Sequence, residues 1–118
     1  MFPFDWPAEQ LREYWQRHKL QQILFHLPVD EWAAGVRGIA CIPGREQEFQ
    51  ENVGRAISYA KVLECSLLNV LVGLTPEGEH PDNVQKTLVD NLRFAADKTF
   101  MDKLQRAANV SGVGDAGR

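Results

Sequence analysis

Few side chains in this 118-residue sequence could do chemistry, and most of them stand alone. His18, His26 and His80 have no other His, Cys or acid at a spacing that builds a metal site. His18 falls on a semi-apolar helical stripe and is expected to pack there, and His80 is expected in a solvated loop. His26 differs because it closes a short apolar run. In open α/β sheets and barrels the C-terminal end of such a strand faces the ligand. The segment after it carries Asp30, Glu31, Trp32, Arg37 and Arg45, a mixture of acids, cations and one large aromatic. Arg37 stands between Gly35 and Gly38, where flanking glycines would let backbone approach a ligand while the guanidinium grips a carboxylate bidentately. Cys41 and Cys65 are far apart, without a CxxC, and are expected to be reduced structural thiols. Neither Gly35-Val36-Arg37-Gly38 nor Gly73-Leu74-Thr75-Pro76-Glu77-Gly78 matches GxGxxG, and no GxxxxGK[ST] or GxSxG occurs. Taken alone, these residues name no reaction.

The elements that must hold these residues follow from periodicity. Asp5 and Pro7 suit a helix start, and Ala8, Leu11, Trp15 and His18 recur at helical spacing, so a first helix is expected over Pro7–His18. Leu20–Leu27 reads as a buried strand stopped by Pro28, which lacks the ladder donor. Val29–Gly44 has no sustained period and four punctuating Gly or Pro residues, which predicts a long loop with at most a turn of helix. Phe49, Val53, Ala56, Ile57, Ala60 and Leu63 then share one helical face behind Glu46 and Glu48, acids suited to a helix N-terminus. Leu67–Gly73 reads as a second strand, and Thr75–Gly78 as a turn. A third helix is expected from Pro81 or Asp82 to about Leu104 or beyond, burying Val84, Leu88, Leu92, Ala95 and Ala96. The Gly-rich end from Asn109 is expected to be disordered.

Helix, strand, loop, helix, strand, helix is an alternating α/β order, and the near-continuous apolar strands point to a parallel sheet covered on both faces. Two strands leave both outer edges of such a sheet open. The sheet is therefore incomplete and calls for partners, from more chain or from another molecule, so self-association through the exposed edges is one expectation. The net charge of −3 and the scattered Lys and Arg give no basic face for nucleic acid. No apolar run approaches the roughly 18 residues of a membrane span, and the N-terminus has no secretory pattern. A soluble, cytoplasmic protein is the expectation.

The run Glu31-Trp32-Ala33-Ala34-Gly35-Val36-Arg37-Gly38-Ile39-Ala40-Cys41-Ile42-Pro43-Gly44-Arg45 resembles the loop after the third strand of hydroxypyruvate isomerases, which reads close to DWAAGERGIACLPGR. Glu48-Phe49-Gln50, Tyr59-Ala60-Lys61, Asn69-Val70-Leu71-Val72-Gly73 and Thr87-Leu88-Val89-Asp90-Asn91-Leu92-Arg93 fit that family in order, and Phe2-Pro3-Phe4-Asp5 resembles the end of its second strand. The resemblance covers about residues 1–98. It implies a partial (β/α)8 TIM barrel of about two parallel strands and three helices, from the end of the second strand through the helix after the fourth, with 99–118 a divergent tail. Such barrels take roughly 250 residues to close, so the chain is expected to be an internal, truncated fragment.

The resemblance also implies what the parent does. Members interconvert hydroxypyruvate and tartronate semialdehyde, or related four-carbon 2-oxo acids, in glyoxylate metabolism, with paired glutamates as acid and base and a divalent metal on the substrate oxygens. Those glutamates belong to later strands, the first in a motif like EPIN that this sequence lacks. No catalytic or metal residue is therefore assigned in this chain, no cofactor is expected in it, and inactivity of the chain by itself is expected. His26, Trp32, Arg37 and Arg45 remain as substrate-loop candidates. Against the family pattern, His26 replaces Asn, Val36 replaces Glu and Glu64 replaces a helix-ending Gly. The rival expectations are a fragment of a 2-oxo-tetronate isomerase and a non-catalytic, self-associating barrel piece.

Overall fold

The computed structural model describes residues 3–111, with side chains through residue 105. A 3-10 turn (Pro3–Asp5) leads into α1 (Ala8–Arg17), β1 (Leu24–His26), a second 3-10 turn (Trp32–Ala34), α2 (Glu46–Leu63), β2 (Leu67–Asn69) and α3 (Pro81–Ser111). The strands run parallel, with Leu24 opposite Leu67, Phe25 opposite Leu68 and His26 opposite Asn69. Each strand is followed by a helix, the repeating unit of a (β/α)8 barrel. The described residues thus form the expected α/β arrangement of two parallel strands and three helices.

The core is built on α2. All six residues expected on its apolar face are buried, from Phe49 and Val53 at the N-terminal end to Leu63 at the C-terminal end. They meet Phe25 and Leu27 from β1 and its exit, Ile39 and Ala40 from the loop, and Leu11 from α1. Full burial of each Phe, Val, Ile or Leu side chain among them stabilises a fold by about 1.5–3 kcal/mol. The N-terminal turn is fastened to the same helix: Phe4 packs against Phe25 and Tyr59, the Tyr59 hydroxyl donates to the Trp6 carbonyl, and Arg55 donates to the Phe4 carbonyl. α2 ends with Glu64 in the left-handed region at φ 53°, while the Cys65 N–H reaches back to the Ala60 carbonyl. That is the conformation glycine adopts most readily.

Several expectations need correction. The first strand is shorter than Leu20–Leu27 because residues 18–20 finish α1 instead. Lys19 turns to φ 55° and the Leu20 N–H bonds the Trp15 carbonyl. The second strand stops at Asn69 rather than Gly73, because residues 70–73 lie against the loop and not against β1. The Cys41 N–H donates to the Val72 carbonyl, and the Gly38 backbone sits on that of Leu71. His18 is exposed, its ring 4.4 Å from that of Tyr14, so the packed histidine expected there is not found. Among the described side chains of α3, Asn91 is buried and Leu92 is 41% exposed, because the helix turns its Asn91 edge toward the loop. Helix α3 also continues through residues 109–111, where disorder was expected. The remainder of that expectation, for 112–118, lies outside the described residues.

Candidate functional site

The loop between β1 and α2 closes on itself before it meets the rest of the protein. Glu31 takes a left-handed conformation at φ 59°, and its carbonyl accepts from the N–H groups of Ala34 and Val36. Gly35, at φ 98°, has open space where a Cβ would stand. Inside this small ring Arg37 folds back. Its Nη1 donates to the carbonyls of Trp32 at 2.8 Å and Val36 at 3.0 Å. Its guanidinium carbon lies 3.9 Å from the centre of the Trp32 ring, within the range of a cation–π contact. Trp32 and Arg37 are thus brought together as one exposed unit.

Arg45 occupies the far end of the loop and is used differently. Its Nε and Nη2 both donate to the Glu48 carboxylate, at 2.9 and 2.8 Å, and Nη2 lies 3.8 Å from Glu31. The Glu48 hydrogen bonds hold its pKa above the ordinary arginine value, with Glu31 and Asp30 adding attraction. A side-on carboxylate grip needs the very edge that Glu48 already occupies. Arg45 therefore fixes the start of α2, where the Gly44 N–H also meets the Glu46 carboxylate at 2.6 Å.

His26 stands at the C-terminal end of β1, exposed, with Nδ1 2.9 Å from the Asn69 side-chain nitrogen. With that amide as donor, Nδ1 is the acceptor of this contact and the ring is oriented from β2. The contacts of His26 and of the two arginines do not join them: His26 is held by β2, Arg37 by its own loop and Arg45 by α2. His80 is exposed, as expected, its Nδ1 accepting from the Asp82 N–H. Cys41 and Cys65 are free and buried, as expected for structural thiols, and burial pushes the Cys41 thiol's pKa up.

Two positioning groups escaped sequence reasoning, and a third was given the wrong partner. Asn91, 2% exposed on α3, donates its side-chain amide to the Ala40 carbonyl at 2.8 Å and so ties the loop to the far helix. Asn69 orients His26, a role that strand register alone could have suggested, since the two residues are directly opposite. Gly38 and Gly73 are the third. A Cβ on Gly38 would stand 2.1 Å from the Leu71 carbonyl oxygen, and one on Gly73 2.4 Å from that of Gly38. The close approach that glycine permits at Gly38 is therefore to the chain itself and not to a ligand. The apolar groove among α2, β2 and the end of α3, bordered by Leu67, Leu92 and Phe100, contains none of the four candidate residues. Among the described residues no group of three or more His, Cys, Asp or Glu could hold a metal ion, so this part of the protein does not by itself fit the divalent metal implied for the family.

Comparison with known proteins places this geometry. No family model matches the chain. The hydroxypyruvate isomerase of Escherichia coli (strain K12) is 50% identical over 104 residues, covering 88% of this chain and 40% of the relative. The 2-oxo-tetronate isomerase of Pectobacterium atrosepticum is 38% identical over 98 residues, 83% of this chain and 37% of the relative. A crystal structure described as an AP endonuclease, family 2, from Brucella melitensis superposes with a TM-score of 0.78 at 44% identity, covering 83% of this chain and 38% of that one. With half of its aligned residues identical and its α/β arrangement shared with a solved relative, the chain belongs to the hydroxypyruvate isomerase family and spans about 40% of the length of that Escherichia coli member.

Proposed function

We propose that these residues form the substrate-loop segment of a hydroxypyruvate isomerase, an enzyme that moves a proton between adjacent carbons of a small 2-oxo acid. The observation that carries this reading is the 50% identity over 104 residues, a span that includes most of the chain. In this reading Trp32 and Arg37 form the polar rim of the substrate face, and His26 adds its imidazole from the strand end. Arg45 is withdrawn from direct contact and sets the loop's shape. The acid and base glutamates and the divalent cation belong to the part of the barrel outside the matched span, so no proton-transfer step is assigned to these residues. The described residues contain no helix long and apolar enough to cross a membrane. A cytoplasmic place in glyoxylate metabolism accords with the reading, and 2-oxo-tetronates are the alternative substrates, suggested by the second relative.

Two assays test it. The purified chain alone, with Mg²⁺ or Mn²⁺ supplied, is expected to turn over no hydroxypyruvate. A chimera in which this chain replaces the aligned segment of the Escherichia coli relative is expected to isomerise hydroxypyruvate, and a folded but inactive chimera would sink the proposal.

A second reading has one observation in its favour. Ile23, Leu24 and Leu67 are 68%, 47% and 54% exposed around the two-stranded sheet, an apolar surface beside open edges. A non-catalytic, self-associating piece would use it. Light scattering on the purified chain decides this: a monodisperse monomer excludes it.

A further inference from the structure

Two arginines border the same loop, yet only one presents an open hydrogen-bonding edge. On Arg37 two backbone carbonyls hold Nη1 and the Trp32 ring holds one face of the plane. Nε and Nη2 have no partner among the described residues, and the side chain is exposed. A guanidinium fixed by a stack and two hydrogen bonds loses little further freedom when an anion docks, which is the condition under which a single contact is selective. The Nε–Nη2 edge offers two parallel N–H donors, matched to the two oxygens of a carboxylate.

We infer that Arg37 is a preorganised carboxylate site, whose Nε–Nη2 edge grips the carboxylate of a small 2-oxo or 2-hydroxy acid while Trp32 serves as its platform. The substrate class rests on the isomerase reading above, whereas the open edge does not. Arg45 serves as an internal reference, because its corresponding edge is filled by Glu48. Acids are also unevenly placed: Glu48 and Glu31 pair with Arg45, and no ion pair joins an acid to Arg37 among the described residues. An incoming carboxylate therefore displaces no internal carboxylate at Arg37.

The test is a titration of the ¹⁵N-labelled 118-residue chain with sodium glycerate at constant ionic strength, following the arginine Nε–Hε and tryptophan indole signals. A saturable shift is expected at the Arg37 Nε–Hε, identified by its loss in Arg37→Lys, with the Arg45 signal unmoved. Trp32→Ala should weaken the response about two- to fivefold by removing the platform. Equal shifts at both arginines, or an equal response to sodium chloride, would mean general screening and overturn the inference. A stronger response to inorganic phosphate than to glycerate would overturn it as well, by making the edge a phosphate group. A static Arg37 alongside an active chimera removes this site alone; an inactive chimera alongside a saturable Arg37 removes the isomerase reading and keeps the site.

Discussion

The two ends of the Asp30–Arg45 loop are built on opposite plans. At the Arg45 end the charge is compensated within the protein: its fork meets Glu48 in two hydrogen bonds, Glu31 approaches, and the Asn91 amide fastens Ala40 nearby. From Glu31 to Arg37 the loop is held by its own backbone, with Trp32 and Arg37 stacked on the surface and Gly35 in open space, before Gly38 closes against Leu71. One end transmits the position of α2 and α3 to the loop, and the other presents groups outward. A residue's charge therefore said little about its role here. Whether its hydrogen-bonding edge was already filled said more.

Glycine substitutions separate the two plans most sharply. In Gly38→Ala the new Cβ meets the Leu71 carbonyl oxygen at 2.1 Å while the backbone stays at φ 109°. Overpacking against backbone and a strained φ together are expected to cost about 2–4 kcal/mol, read as a lower urea midpoint at unchanged slope. Gly35→Ala has the strained φ without the clash, and about 1 kcal/mol is expected. Equal losses at the two positions would mean that the contact between 38 and 71–73 does not hold the loop. Next in size is Asn91→Ala, which leaves the buried Ala40 carbonyl without its donor. A loss of about 1–3 kcal/mol is expected, with faster amide exchange in residues 38–41 as the local signature.

The sequence made the framework legible where periodicity was strong. The α2 face could be written down residue by residue, because six apolar positions at helical spacing have one consistent burial. The strands were found but drawn too long. Apolar runs such as Leu20–Leu27 and Leu67–Gly73 do not show which residues have a partner, and pairing here lasts three residues. The candidate site was legible as a list and not as an arrangement. In sequence Arg37 stands apart from Arg45 by its flanking glycines, but the structural difference lies in Glu48, one helical turn beyond Arg45, which fills the edge of that arginine. Asn91 was hidden because an Asn inside an apolar helical stripe reads as a surface residue until the loop carbonyl opposite it is known. His18 erred the other way, since a stripe residue near a helix end can turn to solvent.

A smaller effect tests the frame that carries the loop. Glu64 holds a left-handed cap at φ 53°, where a side chain costs about 1 kcal/mol relative to glycine. Glu64→Gly is expected to stabilise the chain by up to about 1 kcal/mol, offset by the greater freedom of glycine in the unfolded state. A lower melting temperature in this variant would show that Glu64 makes a compensating contact.

The smallest expected effects bear most directly on the contrast between the arginines. Arg45→Ala removes a two-pronged contact with Glu48 in which the arginine side chain is 28% and the glutamate 37% exposed. Solvent screens such a pair, so a loss of about 0.5–1 kcal/mol is expected, and Glu48→Ala should reproduce most of it. Arg37→Ala removes an exposed stack and two hydrogen bonds to loop carbonyls that water can replace, so its stability change should stay within about 0.5 kcal/mol. The double variant Arg45→Ala with Glu48→Ala should be less destabilised than the sum of its parts, because each single change already breaks the shared contact. If Arg37→Ala proved the more destabilising of the two arginine variants, the outward end of the loop would be structural after all, and the assignment of roles between its two ends would reverse.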